Sequence, residues 1–309
     1  MTLQQLEYVI ALDNYRHFVT AAEKCYVTQP TLTMQVKKLE DEIGVRLFDR
    51  NRKPLIPTAA GEKIIIKARQ ILREVEEMKA FVYNETEMLE GEYRLGIIPT
   101  ISPYILPRFL PEFLTEHPRT RLKITELQTD HIIDKLKNGM LDIAILSTPL
   151  NDKAIRTIPL YYEPFLLYLP FDHKLNRVEN LTADMLNSEE ILVLEEGHCF
   201  RDQALAICST TLAGKRLKFE YDSGSIEALK GLVEKKLGYT LVPELSVGNT
   251  AESVSVKRFS EPEPVREVSI VVHNSFTKEA LIDRLHKTIL HTIPDQFKKM
   301  KHYTRVKWR

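Results

Sequence analysis

Two cysteines lie nine residues apart in the segment GHCFRDQALAIC. Phe200, Ala204 and Ile207 recur between them with the spacing of one helix face, which predicts a helix. At about 1.5 Å per residue, the Cα atoms of Cys199 and Cys208 would lie roughly 13 Å apart, whereas a disulfide needs them within about 7 Å. A bond between them would therefore require the helix to unwind, so that oxidation changes the fold. The spacing also fits two small core residues, because free cysteine is often buried, and it matches no usual zinc-site spacing.

Cys199 is the more reactive candidate of the two. It would stand at the start of the helix, where the helix dipole favours a negative charge, and His198 and Arg201 would supply cationic or hydrogen-bonding groups. Cys208 lies beside Ile207 within the helix and should be buried. The sequence predicts that Cys199 is oxidised first, to a sulfenic acid, and that Cys208 is the resolving thiol.

These cysteines fall in a region after Gly91 where strand-like and helix-like runs alternate. The alternation predicts an α/β domain with largely parallel sheets, long enough for two lobes with a cleft. The expected strands are YRLGIIPT, RLKITELQ, LDIAILS, FLLYLPF, EILVLEEG, RLKFEY, YTLVPEL and VREVSIVVHN, and the expected helices lie near 103–117, 129–139, 200–212, 225–236 and 278–293. The basic tail QFKKMKHYTRVKWR shows no pattern and is expected to be mobile.

The N-terminal sixty residues are typical of short helices joined by tight turns, as in helix-turn-helix DNA-binding domains. The third helix would begin at the capping residue Thr28 and end at Gly44. Its polar face could read base edges: Gln35 suits adenine, Thr31 and Thr33 suit base edges or thymine methyl groups, and Lys38 suits guanine or phosphate. An ordinary amphipathic surface helix would have the same pattern.

Two further elements follow this helix. The proline-bounded run VRLFDRNRKPLIPT predicts a hairpin or wing, whose cations Arg46, Arg50, Arg52 and Lys53 could anchor a DNA backbone. A helix should then open at Thr58 and run to about Leu89, with one narrow apolar seam. Because such a long helix cannot bury its seam alone, it is predicted to be a linker that also dimerises.

Composition limits the class of protein. The chain has 309 residues, with 43 basic and 43 acidic side chains, so a nucleic-acid binder must concentrate its positive charge locally. Three cysteines do not make a secreted disulfide framework. The first residues are not expected to form a signal peptide, and no run of the sequence is expected to span a membrane. A reducing cytoplasm is the expected location, and neither a membrane partner, a metal nor a cofactor is expected.

The segment AAEKCYVTQPTLTMQVKKLEDEIGVRLFDR, followed by PTAAGE, closely resembles the N-terminal domain of LysR-type transcriptional regulators. The resemblance implies a winged helix-turn-helix over 1–60, a linker and dimerisation helix over 61–90, and a two-lobed regulatory domain like a periplasmic binding protein over 91–309. It also implies which residues face DNA: Gln29, Thr31, Thr33, Gln35 and Lys38 in the major groove, and Arg50 near the wing.

The string GHCFRDQ…C, with IPT at Thr100 and EPVRE around Arg266, is similar to the hydrogen-peroxide-sensing OxyR branch of that family. The similarity implies a pocket that polarises peroxide over the reactive Cys199. The implied pocket residues are Thr100, Thr129, His198, Arg201 and Asp202, with Arg266 beside them. Their chemistry is suitable, because donors must stabilise the charge that develops on the leaving oxygen.

We therefore expect a non-enzymatic, peroxide-responsive transcription regulator of oxidative-stress genes, working as a homodimer or homotetramer. Its expected partners are double-stranded promoter DNA and RNA polymerase, and hydrogen peroxide is the expected signal. One alternative is a LysR-type regulator that responds to a small metabolite in the cleft between the lobes. Another is a thiol peroxidase that uses Cys199, although such an enzyme would not need a helix-turn-helix.

Overall fold

The computed structural model describes residues 1–80, 89–186, 190–208, 223–248, 252–299 and 302–307. Two units are distinguished along the chain. One consists mainly of Met1–Thr86, and the other mainly of Glu87–Asp134, Leu141–Asn274 and Lys278–Arg309.

The first unit contains the predicted winged helix-turn-helix. Its elements in chain order are α1 (Leu3–Tyr15), α2 (Phe18–Lys24), α3 (Gln29–Ile43), β1 (Phe48–Asp49), β2 (Ile56–Pro57) and α4 (Ala59–Ala80). Thr28 caps α3 as predicted, and Gly44 ends the helix in the left-handed conformation, with φ of 79°. β1 and β2 pair antiparallel as the predicted wing, and the Thr58 hydroxyl accepts from the amide of Gly61 to cap α4.

The apolar seam of α4 is only partly available to a partner chain. Ile65 and Ala68 are buried in the core of the helix-turn-helix, and Leu72 packs against it. Met78, about one helical turn beyond Val75, is 65% exposed. The first half of the predicted dimer seam therefore stabilises the domain itself, because α4 packs against α1. The predicted continuation to Leu89 crosses residues 81–88, which lie outside the described part of the chain.

The second unit is an α/β domain. Its strands are β3 (Gly91–Ile97), β4 (Thr120–Glu126), β5 (Ile143–Thr148), β6 (Ile155–Pro170), β7 (Ile191–Leu192), β8 (Tyr239–Pro243), β9 (Val254–Arg258), β10 (Glu263–His273) and β11 (Tyr303–Arg305). Its α-helices are α5 (Ser102–Glu116), α6 (Thr129–Lys137), α7 (Cys199–Ile207), α8 (Ile226–Glu234), α9 (Glu279–Thr292) and α10 (Asp295–Lys298).

The strands form a mixed sheet with two lobes. The order β4-β3-β5-β10-β6 makes the first lobe, and the far half of β6 continues into the second with β8, β7 and β9. The prediction of largely parallel sheets is wrong, since β6 and β10 run antiparallel to each other and β10 runs antiparallel to β5. β10 comes from the C-terminal part of the chain and lies between β5 and β6, antiparallel to both, an order that the alternation of strand-like and helix-like runs does not reveal.

The C-terminal tail is more ordered than its composition suggests. β11 pairs in parallel with the start of β10, and Val306 is buried in the core of the second lobe. The expectation of a mobile tail is therefore wrong at 303–306, where a short strand is stabilised by pairing rather than by an apolar pattern of its own. The sequence also did not predict β9. The predicted strand EILVLEEG is a strand only at Ile191–Leu192. The predicted strand RLKFEY lies outside the described residues.

Within the described ranges, no helix is both long enough and apolar enough to cross a lipid bilayer.

Candidate functional site

The two cysteines occupy opposite ends of α7. Cys199 is the first residue of the helix and Cys208 is its C-cap, with its amide bonded to the carbonyl oxygen of Ala204. Both cysteines are in the thiol form and both are buried. A helix of this length separates their Cα atoms by about 13 Å, which is beyond the reach of a disulfide.

The surroundings of Cys199 act on its thiol in opposite directions. Burial raises the pKa of the thiol above its ordinary value, and the carboxylate of Asp202 adds to this effect. The hydroxyl of Thr129, the charge of Arg266 and the amide of Phe200 lower the pKa but do not cancel the effect of burial. The helix start lowers the pKa of the Cys199 thiol, in the direction expected from the sequence, but burial has the larger effect.

The two cationic neighbours expected from the sequence are directed elsewhere. Arg201 pairs with Glu196 at 3.1 Å. His198 has a buried side chain and places Nε2 3.4 Å from Oε1 of Glu195. The positive charge that acts on the thiol comes instead from Arg266, on β10.

Arg266 is the centre of a buried polar network. Its Nε and Nη2 atoms donate to Oε2 of Glu163 at 2.9 and 2.7 Å. Nη1 donates to the hydroxyl of Thr100 at 3.1 Å, and Nη2 to the Thr100 carbonyl at 3.0 Å. The side chains of Arg266 and Glu163 are 1% and 0% exposed. Glu163 was not predicted, although an acidic residue inside the apolar run LYYEPFLLY was a usable signal.

Three of the six residues predicted for the pocket lie together near Cys199, because Thr129 and Arg266 act on its thiol and Thr100 is bonded to Arg266. Thr129 is buried, and its hydroxyl makes no well-formed hydrogen bond within the described part of the chain. It nevertheless lies close enough to the sulfur of Cys199 to lower the pKa of the thiol. A buried hydroxyl group near a buried thiol can donate a hydrogen bond to a small polar molecule and so polarise it.

A cavity of about 590 Å³ opens next to this group. His198 faces it from the start of α7, and the hydroxyl of Tyr104 donates to Glu227 across it at 2.9 Å. Its remaining lining residues are Pro99, Pro103, Glu126, Leu127, Gln128, His131, Glu195, Gly224, Ser225 and Ile226.

Cys208 lies in a different environment from Cys199. It belongs to the apolar core of the second lobe, and burial raises the pKa of its thiol to about 12. Gln203, which was not predicted, fastens the middle of α7, because its Nε2 donates to the Ser147 hydroxyl at 3.2 Å and to the Val306 carbonyl at 2.9 Å.

Several side chains on the polar face of α3 form hydrogen bonds within the protein. Gln29 donates to the hydroxyl of Thr33 at 3.0 Å, and Gln35 accepts from Gln5 at 3.2 Å. The Thr31 hydroxyl shares a 2.8 Å hydrogen bond with its cap residue Thr28. Lys38 is exposed. These bonds orient the side chains along one face and leave it accessible.

The wing is fastened to α3 by Glu40, a buried carboxylate that was not predicted. Its oxygens accept from Arg46 at 3.1 Å, from Arg50 at 2.9 Å and from the amide of Leu47 at 2.8 Å. Arg50 also stacks over the ring of Phe18. Arg50 therefore has a structural role, because its ion pair with Glu40 holds the wing against α3.

Family comparisons agree with this architecture. Residues 3–62 match the bacterial regulatory helix-turn-helix protein of the lysR family. Residues 86–293 match the LysR substrate binding domain. The chain therefore belongs to the LysR family of bacterial transcription regulators.

Within that family the chain belongs to the OxyR branch. It is 36% identical to a hydrogen peroxide-inducible genes activator of Haemophilus influenzae, with 88% of this chain and 90% of the relative covered. It is 34% identical to the transcriptional dual regulator OxyR of Escherichia coli K12, with 97% and 98% covered. A solved full-length OxyR mutant from Pseudomonas aeruginosa is similar in structure, with a TM-score of 0.82, 34% identity, and 95% and 99% coverage.

Proposed function

We propose that this protein is a peroxide-responsive transcription regulator in which Cys199 senses hydrogen peroxide and Cys208 resolves the oxidised thiol. The observation that carries the proposal is the placement of two reduced cysteines at opposite ends of α7, with Cys199 beside the network of Arg266 and Thr100. The names of relatives such as the hydrogen peroxide-inducible genes activators of Haemophilus influenzae and Pectobacterium carotovorum support it. No cofactor is needed for this chemistry.

The first chemical step is attack of the Cys199 thiolate on one oxygen of peroxide. The O–O bond breaks, the sulfur is oxidised to a sulfenic acid, and the other oxygen leaves as hydroxide, which takes up the proton lost by the thiol to become water. Arg266 and the hydroxyl groups of Thr100 and Thr129 are the donors that stabilise the leaving oxygen. His198, Arg201 and Asp202 border this site and complete the proposed pocket.

The second step joins the two cysteines. The Cys208 sulfur attacks the Cys199 sulfur, an S–S bond forms, and the hydroxyl group of the sulfenic acid leaves as water. Because α7 holds the sulfurs apart, the helix must unwind first. Unwinding removes Phe200, Ala204 and Ile207 from the core of the second lobe, so a local oxidation changes the packing of the regulatory domain.

The change in packing would reach DNA through the assembly. We propose a winged helix-turn-helix over 1–60, a linker and dimerisation helix over 61–90 and a redox-sensing domain over 91–309, in a cytoplasmic dimer or tetramer. Rotation of subunits would alter the spacing of the recognition helices, and half-site spacing follows that geometry. Gln29, Thr31, Thr33, Gln35 and Lys38 would contact the major groove, Arg50 would lie near the wing, and RNA polymerase would be the next partner.

The decisive experiment compares three proteins by DNA footprinting and by mass mapping of the cysteines, before and after one equivalent of peroxide. The unaltered protein should form the Cys199–Cys208 disulfide and change its footprint. Cys199→Ser should bind DNA but show neither change, whereas the matched control Cys25→Ser should show both. A normal peroxide response in Cys199→Ser would refute the assignment.

The cavity beside α7 favours one alternative, a regulator whose effector is a small metabolite. In that case peroxide would leave the footprint unchanged, and the metabolite would raise the thermal stability of the protein. A thiol peroxidase would instead consume many equivalents of peroxide in the presence of an external reductant. Stoichiometric consumption of peroxide is expected for the regulator.

A further inference from the structure

The buried pair of Arg266 and Glu163 lies on the neighbouring strands β10 and β6, just before β6 passes into the second lobe, and near the N-terminus of α7. Glu163 belongs to β6 and Arg266 to β10, at the register position directly opposite. Neither side chain reaches solvent. A charged pair in such a place has a strong effect on its neighbours, because little water is present to screen it.

Both carboxylate oxygens of Glu163 accept hydrogen bonds. Oε2 accepts two hydrogen bonds from Arg266, and Oε1 accepts from the amide of Leu245 at 2.9 Å. Arg266 in turn holds Thr100 through the hydroxyl and the carbonyl of that residue. Glu163 therefore holds the guanidinium group of Arg266 against Thr100. Of the residues predicted for the pocket, these hydrogen bonds join Glu163 to Arg266 alone.

The guanidinium also acts on Cys199. Its central carbon lies 5.3 Å from the ring centroid of Phe200, the residue that follows Cys199. Burial disfavours the charge of Arg266, but Glu163 above all, followed by Tyr161 and Cys199, raises the pKa of the guanidinium, so the group stays charged. One buried cation thus has two anionic partners, a permanent carboxylate and a thiol that can become a thiolate.

We propose that Glu163 is a positioning residue that competes with the Cys199 thiolate for the charge of Arg266 and so adds to the effect of burial, which keeps the resting thiol protonated. While Glu163 is paired, the thiol is exposed to the field of a neutral ion pair rather than to that of a lone cation. The inference rests on the proposed function in taking Cys199 as the sensing thiol. It adds a residue that sets how readily that thiol reacts.

Other charges near the thiol do not explain this competition. Asp202 opposes a thiolate from within α7. Tyr161 on β6 interacts with Arg266, and burial raises the pKa of Tyr161, so it is neutral at ordinary pH. His198 precedes the thiol and is directed to a carboxylate of its own. Glu163 remains the group that directly holds the cation.

The test is the variant Glu163→Gln, which preserves the size and one acceptor oxygen but removes the negative charge. In the full-length protein, the rate of iodoacetamide alkylation at Cys199 is followed against pH by mass mapping. The midpoint of this profile should fall by at least one pH unit. The alkylation rate at pH 7 should rise about tenfold. At a pH well below the midpoint, the fraction of thiolate increases tenfold when the midpoint falls by one pH unit. An unchanged or higher midpoint would overturn the proposal.

Two controls separate the electrostatic effect from loosened packing. Glu267→Gln removes a buried carboxylate that is also on β10 but is bound by Thr148 and Arg305, and its midpoint at Cys199 should equal that of the unaltered protein. Cys208 serves as the internal control. Faster alkylation of both cysteines in Glu163→Gln, without a shift in the midpoint at Cys199, would indicate a structural role and contradict the proposal.

A further variant covers the case in which Glu163→Gln does not fold. Glu163→Asp keeps the charge but withdraws it from Arg266 by one methylene group, so the midpoint at Cys199 should fall by a smaller amount. A rise would overturn the proposal. Alkylation requires no peroxide, so failure of the unaltered protein to form the Cys199–Cys208 disulfide would refute the proposed function while leaving this comparison decisive.

Discussion

The single residues of the redox segment differ in what surrounds their sulfur atoms. Cys199 has a cation, a hydroxyl group and a helix amide nearby, all of which favour a thiolate, although burial outweighs them. Cys208 has burial alone as the cause of its shift. The difference supports their proposed order of reaction, because only a thiolate attacks peroxide at a useful rate.

Cys208 should be almost unreactive in the folded protein. Its pKa rises from the ordinary value of 9.0 to about 12, so its thiolate fraction near pH 8 falls about a thousandfold, and alkylation of native Cys208 should be slower than in urea by about that factor. The same shift contributes stability that is complete below pH 9 and is lost as the pH rises toward 12. Site-resolved alkylation with and without urea measures the factor, and comparable rates would contradict it.

At the scale of elements, α7 is held from both sides. Its apolar face packs into the core of the second lobe, and Gln203 links its middle to β5 through Ser147 and to the chain after β11 through Val306. Unwinding α7 therefore breaks contacts with the tail as well as with the core. A helix with these attachments opens only rarely in the reduced protein, and the proposed disulfide would trap the unwound segment once it forms.

The junction between the wing and α4 depends on close approach at one glycine. A Cβ atom at Gly61 would lie 1.9 Å from the carbonyl oxygen of Leu47, whereas at Gly231, also in a helix, it would meet nothing within 4 Å. Gly61→Ala should lower the free energy of unfolding by roughly 2–3 kcal/mol. The control Gly231→Ala should raise it by about 0.5–1 kcal/mol. Urea denaturation followed by circular dichroism measures both, and equal stabilities would exclude the close contact.

At the scale of the whole molecule, one long strand, β6, runs through both lobes of the regulatory domain. The first part of β6 pairs with β10 and its last part with β8 and β9. The chain thus passes from one lobe to the other without an intervening loop. Repacking in the second lobe therefore acts directly on strands that belong to the first, because the backbone is continuous and hydrogen-bonded throughout.

Assembly should depend on the part of α4 that the domain does not use for its own core. Met78→Lys places a charge at a position that is 65% exposed in the single chain, and it should raise the dissociation constant of self-association at least tenfold, about 1.4 kcal/mol. Leu237→Lys, at an apolar residue that is 48% exposed, is the matched control and should have no effect. Sedimentation over a concentration series decides between them; equal constants would place the interface elsewhere.

Local pattern was sufficient for much of this protein. The helical stripes, the caps at Thr28 and Thr58, the wing and the helix that carries Cys199 were predicted because short-range spacing determines which face of an element is buried. The same spacing placed the two thiols too far apart to bond. Oligomeric state and target DNA stay predictions.

Only the tertiary structure decided which charged groups surround Cys199 and in which directions the strands of the sheet run. The competition for Arg266 involves Glu163, from a strand about a hundred positions away in the chain, and no local spacing reports such a pairing. The raised pKa of Cys199 likewise arises from burial beneath distant elements, which has a larger effect than the helix start. Mixed strand directions and the pairing of β11 were decided in the same way, because a strand's partner is chosen by packing over the whole domain.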